Sequence, residues 1–152
     1  MILILAVLIG VVTGLRAMIG FAAIAWAAHL GIIDLSGGFL GWLASIWTVG
    51  ITTLLAVAEL VSDQLPSTPS RKVPAQFGTR ILVGALGGAA IGFSAHQLLP
   101  GAIAGAIGAV MGTLGGAWAR GKVAAALGAD RPAALLEDVI AILGALAIVC
   151  AL

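Results

Sequence analysis

The amino-acid sequence predicts an all-α integral membrane protein with about five transmembrane helices, and three observations carry that prediction. Hydrophobic residues make up 62% of the 152-residue chain and charged residues only 9%, whereas soluble domains carry about a quarter charged residues. The mean hydropathy is +1.23, and most apolar stretches lack the polar face that a soluble amphipathic helix shows once per turn. Twenty-two glycines would weaken soluble helices but suit membrane helices, whose backbones approach one another through small residues. A net charge of +1 argues against a nucleic-acid partner and leaves membrane lipids as the expected surroundings.

Residues 1–31 form an almost wholly apolar run broken by one charge, Arg16. Such a run is longer than a hydrocarbon core of about 30 Å requires, so the first span is expected over residues 2–30. No Lys or Arg precedes it and no small-x-small site closes it, so a retained segment is expected rather than a cleaved signal peptide. Asp34, Ser36, Gly37 and Gly38 form a break, with Ser36 a candidate N-cap for a second span over residues 39–61. That span ends in Glu59 and Asp63. Residues 64–80 carry Pro66, Pro69 and Pro74 among Ser and Thr, which predicts a polar loop without continuous helix.

A middle helix follows over residues 81–96. The turn Leu99-Pro100-Gly101 leads into a fourth span, 101–127, which carries Arg120 and Lys122 in its last third. Gly128 suits the position just past a helix end, Asp130 or Arg131 the next cap, and Pro132 a first turn. The fifth span is then 133–152. Its Cys150, the single cysteine of the chain, excludes an internal disulfide and a Cys-based metal cluster and reads as a small apolar residue.

With five crossings, the loops holding Arg71, Lys72 and Arg80, and Arg120, Lys122 and Arg131, fall on one side. The positive-inside rule makes that side cytoplasmic, with the N-terminus inside and the C-terminus outside. A weak repeat relates residues 1–62 to 101–152, joined by the polar loop and the middle helix. Leu8-Ile9-Gly10-Val11-Val12-Thr13-Gly14 is similar to Ala106-Ile107-Gly108-Ala109-Val110-Met111-Gly112. Three crossings between the copies would give them opposite directions, the inverted repeat of many transporters. Glycines every fourth residue, as at Gly84, Gly88 and Gly92 and at Gly108, Gly112 and Gly116, clear helix faces for close packing. More faces than five helices use make a homo-oligomer, most simply a homodimer, the expected assembly.

A guanidinium inside a membrane costs a few to more than ten kcal/mol, so Arg16 needs a receiver. The candidates are Glu59, Asp63, Glu137 and Asp138. Because helical side chains lean toward their own N-terminus, Arg16 on the first span and Glu59 on an oppositely directed span would approach each other. Glu59 is therefore the expected partner, and the pair either fixes helix register or lines a cavity. Gly14 and Gly20 around Arg16, and Gly112, Gly115 and Gly116 in the fourth span, serve either as packing sites or as points where each span breaks into half-helices. His29 and His96 read as interfacial residues. Arg71 and Lys72 are candidates for contact with a phosphate or lipid headgroup. No metal or cofactor motif and no nucleophile–base arrangement is present, so an enzyme is not expected.

Gly14-Leu15-Arg16-Ala17-Met18, Ala25-Trp26-Ala27-Ala28-His29-Leu30-Gly31, Glu59-Leu60-Val61-Ser62-Asp63-Gln64-Leu65-Pro66 and Thr68-Pro69-Ser70-Arg71 together resemble a widespread family of small bacterial membrane proteins containing a domain of unknown function. The resemblance implies a compact multi-helix fold, a bacterial inner-membrane location and a role for Arg16, Glu59, Asp63 and Arg71; it implies no activity. The expected function is a small transporter or channel for an unidentified ion or solute. Arg16 and Glu59 would form its site, with Asp63, Glu137 and Asp138 at the cytoplasmic mouth. The alternatives are a membrane scaffold or lipid-binding protein joined through glycine faces, and a lipid-phosphate translocase.

Overall fold

The first apolar run folds as two helices rather than one. The structure, a computed structural model, describes residues 1–63 and 73–152. Helix α1 (Ile2–Leu15) ends at Arg16, whose extended backbone (φ −138°, ψ 105°) breaks the helix, and α2 (Ala17–His29) begins directly after it. The chain doubles back there. A Cβ on Gly20 would lie 2.5 Å from the Thr13 side chain and 3.4 Å from the Ile9 carbonyl, and Ile9 and Ile24 both meet Gly87. In one straight helix Ile9 and Ile24 would stand roughly 22 Å apart at 1.5 Å per residue.

A short 3-10 helix (Gly41–Ala44) then leads into α3 (Ile46–Ser62), followed by α4 (Pro74–Phe93), α5 (Leu98–Leu127) and α6 (Asp130–Cys150). The α3 cap is Ser45, whose side chain accepts from Trp47 N–H, rather than Ser36; the Ser36 N–H instead closes a turn on Asp34. Pro74 stands at the start of α4, where its missing N–H costs nothing, so the helix includes Arg80 and begins inside the expected polar loop. Gly128 takes the left-handed conformation (φ 68°) at the end of α5, as its position suggests. Helix α5 is continuous over 30 residues, so of the two readings of Gly112, Gly115 and Gly116 the half-helix break does not occur.

Directions follow from the glycine contacts. Along α1 and α5 they advance together: Gly10 meets Gly105 and Ala109, and Gly14 meets Ala109, Gly112 and Thr113. Along α4 and α5 they run oppositely, Gly84 meeting Gly105, Gly88 meeting Gly101, and Gly92 meeting Gln97. Helix α6 returns beside α1, with Asp138 at Arg16 and Gly144 at Val12. The two segments of the weak repeat therefore lie side by side and parallel, not inverted. Both termini lie at the same end of the bundle rather than on opposite sides. One cause accounts for both corrections: the reversal at Arg16 adds a change of direction that a single first span would lack.

Among the described residues, two helices, α5 and α6, are long and apolar enough to cross a membrane. The centre of the bundle is the contact of α1, α4 and α5, where glycines bring backbones together. A Cβ on Gly105 would stand 2.1 Å from the Gly84 carbonyl, and one on Gly88 would stand 2.3 Å from the Gly101 carbonyl. The glycine faces at Gly10, Gly14, Gly84, Gly88, Gly92, Gly101, Gly105, Gly108 and Gly112 are thus used within one chain, so their spacing gives no separate reason for a dimer.

Replacing Gly105 by Ala should therefore destabilise the protein by about 2–3 kcal/mol, because backbone cannot move aside for the methyl. Gly115→Ala, where a Cβ meets nothing within 4 Å, should not destabilise and should gain up to about 1 kcal/mol, because Ala is the better helix former. Denaturant titration in mild detergent measures both.

Candidate functional site

The break at Arg16 leaves two helix ends facing each other inside the bundle. The last carbonyls of α1 and the first N–H groups of α2 have no partners within their own helices. The Arg80 guanidinium donates from Nη1 to the Gly14 carbonyl (3.1 Å) and the Leu15 carbonyl (2.8 Å). The Glu59 carboxylate accepts from the Ala17 N–H (3.0 Å) and the Met18 N–H (2.8 Å). A cation thus sits at a helix C-terminus and an anion at a helix N-terminus, each where the backbone dipoles favour it. Arg80 Nη2 also donates to Glu59 Oε1 at 3.3 Å, linking the two caps. The Thr113 hydroxyl, 3.2 Å from the Gly14 carbonyl and 2.8 Å from Ala109, adds an alternative donor.

The Arg16 side chain is fully buried. Its Nε donates to Asp138 Oδ1 at 2.5 Å, Nη1 contacts Asp63 Oδ2, and Nη2 lies 3.9 Å from Glu137 Oε2. Glu137 also lies 3.7 Å from Arg120 Nη1, and Arg120 holds Asp130 through two bonds of 3.0 and 2.6 Å. One connected set of charges therefore runs from Arg16 through Glu137 to Arg120 and Asp130. Glu59 and Arg80 form a second pair beside it.

Of the expected residues, Arg16, Asp63, Glu137 and Asp138 come together; Glu59 lies next to them but pairs with Arg80. The expected Arg16–Glu59 pair is replaced by Arg16 with Asp63 and Asp138. The leaning rule placed Arg16 within a helix, but it sits at a hairpin tip, one turn beyond the level of Glu59 on α3. The reversal also removes the depth mismatch, since α1 ends at the level of the carboxylates. Arg71 and Lys72 lie outside the described residues. Sequence reasoning missed Arg80, Thr113, Arg120 and Asp130 as members of the site. Pro74 as a helix start was the available signal for Arg80, because it places Arg80 nearly two turns inside a helix.

A cleft of about 550 Å³ opens beside the cluster among α2, α3 and α4. Met18, Leu55 and Ala58 form part of its apolar wall, and Glu59, Asp63 and Arg80 supply its charged groups. Among the described residues, no group of three or more His, Cys, Asp or Glu side chains is placed to hold a metal ion. Comparison with known proteins finds no family model, no curated protein and no solved structure that matches the chain.

Removing the Arg16 charge should strand buried carboxylates, so Arg16→Met should cost about 3–5 kcal/mol of stability. In double-mutant cycles, Glu59 should couple to Arg80 by about 1 kcal/mol more than it couples to Arg16. Denaturant unfolding of the single and double variants reads both quantities.

Proposed function

We propose that this chain is a small membrane transporter or channel whose polar site is the Arg16 cluster and the adjoining cleft. One observation carries the reading: a helix break within the bundle, with capped half-helix ends, borders a cleft that reaches the charged groups. Non-helical backbone at membrane depth is tolerated where it is buried in protein or lines a cavity, and half-helix ends are recurrent substrate sites in transporters. The surrounding surface fits lipid, with Leu54, Leu82, Ile107, Ile140 and Leu143 all exposed.

In a bilayer, α4 continues about 9 Å past Arg80 and α6 about 12 Å past Asp138, so the contacts of Arg16 lie below the interface, with Asp130 nearer to it. Helices α1 and α2, of 14 and 13 residues, are each about 20 Å long and form a hairpin that enters from the terminal end without crossing a core of ~30 Å. Arg120, Lys122 and Arg131 belong to the Arg16 end. By the positive-inside rule that end is cytoplasmic and both termini are outside, in the bacterial inner membrane that the family resemblance implies. A scaffold assembled through glycine faces has less support, because those faces are occupied within the chain.

Access from both sides of a membrane separates a transporter or channel from a blind pocket. On a Cys150→Ser background, Ala58→Cys in oriented vesicles should react with a membrane-impermeant thiol reagent added at the cytoplasmic side. It should also react, about tenfold or more slowly, from the other side, if the outward-open form is the minor one. Reaction from one side only, or from neither, would overturn the proposed function and leave the cluster as a structural lock.

A further inference from the structure

Two apolar cavities lie end to end where α6 meets α1 and α5. The first, of about 250 Å³, is lined by Gly115, Gly116, Ala119 and Leu136, among others; the second, of about 360 Å³, by Leu5, Val12, Gly144 and Ala151, among others. Leu15 and Ile140 line both, so the two form one groove. Between Ala133 and Ala151 it follows α6 for about 27 Å at 1.5 Å per residue. Small residues make the room: a Cβ on Gly115 meets nothing within 4 Å.

The groove is apolar along its length and charged at one end only. Arg120 and Glu137 line it there, and Arg120 carries Asp130, whose side chain is 65% exposed. Both signs of charge thus stand at the head of a hydrocarbon-sized channel. We propose that this groove binds an aminophospholipid, with one acyl chain in the channel, the phosphate at Arg120 and the ammonium at Asp130. The assignment rests on the membrane reading above.

Length and charge select this occupant. An acyl chain spans about half of a ~30 Å core, so from the charged end it fills the first cavity and passes Ile140 into the second. A lipid with an anionic head and no amine would satisfy Arg120 but bring negative charge against Asp130 and Glu137. Glu137 also lies 3.9 Å from Arg16 Nη2, so the bound head would adjoin the buried cluster and bias its arrangement.

The test is native mass spectrometry of the full chain after exchange into equimolar phosphatidylethanolamine and phosphatidylglycerol with the same acyl chains. The wild type should retain phosphatidylethanolamine about tenfold over phosphatidylglycerol, the equivalent of one charge-assisted contact. Gly115→Leu, at a position where a Cβ meets nothing within 4 Å, puts its side chain into the first cavity and should lower retention of both lipids about tenfold without lowering the melting temperature. Asp130→Asn, at an exposed position, should abolish the preference without lowering total binding. Equal retention of the two lipids by the wild type, or wild-type retention by Gly115→Leu, would overturn the proposal. Alkaline extraction of cell membranes separates the two ideas. Release of the chain would sink the membrane reading itself, whereas a retained chain that binds no phosphatidylethanolamine would sink only the groove.

Discussion

A helix that ends inside a protein must have its free backbone groups satisfied, and that requirement organises this molecule. The reversal at Arg16 leaves carbonyls of α1 and N–H groups of α2 together within the bundle, where water cannot serve them freely. Arg80 and Glu59 meet the two needs from α4 and α3, with charges of the sign each helix end favours. Arg16 itself then points away from the chain it interrupts and joins α3 to α6 through Asp63 and Asp138. Five helices, α1, α2, α3, α4 and α6, are tied by charges at one level. Each tie is a consequence of one extended residue.

From that level to the opposite end, the bundle is held by contacts of the opposite kind. Along α1, α4 and α5, glycines replace side chains at the closest approaches, so the helices meet backbone to backbone. Such a core adds close packing of main chain to the burial of Leu5, Ile9, Val83 and Ile91. Its rigidity suits the polar cluster, which depends on fixed helix ends. Helix α6 packs less closely against α5 near Gly115 and Gly116 and along α1, where space remains as apolar cavities. Rigid packing on one side and open volume on another divide the molecule into a frame and two accessible faces, one polar and one apolar.

Much of the helical content was legible from the residues. The stop at Gly128 and the start of α6 near Pro132 follow from local backbone chemistry, and the apolar run of α5 needs no tertiary information. The hairpin was not legible, because no proline, polar gap or charge run marks residue 16. Gly14 and Gly20 mark weakness near it, but the same glycines serve packing, and packing alone would have allowed a straight helix. Arg16 was correctly singled out as a charge in need of a receiver. Its receiver was assigned wrongly because side-chain lean was applied to a residue that is not helical.

Local composition and patterning by themselves determined that this is an apolar helical chain in which Arg16, the one charge of the first run, must meet some of the few carboxylates. Burial of charge without a partner is too costly for any other outcome, whatever the fold. Only the tertiary structure decided which carboxylates do so, that the first run turns back on itself, and that both chain ends lie together. Those outcomes depend on Arg80, Glu59 and Thr113, which come from three other helices and supply the hydrogen bonds that make a break at Arg16 tolerable. A break costs nothing visible in its own sequence; its stability is set by groups distant along the chain.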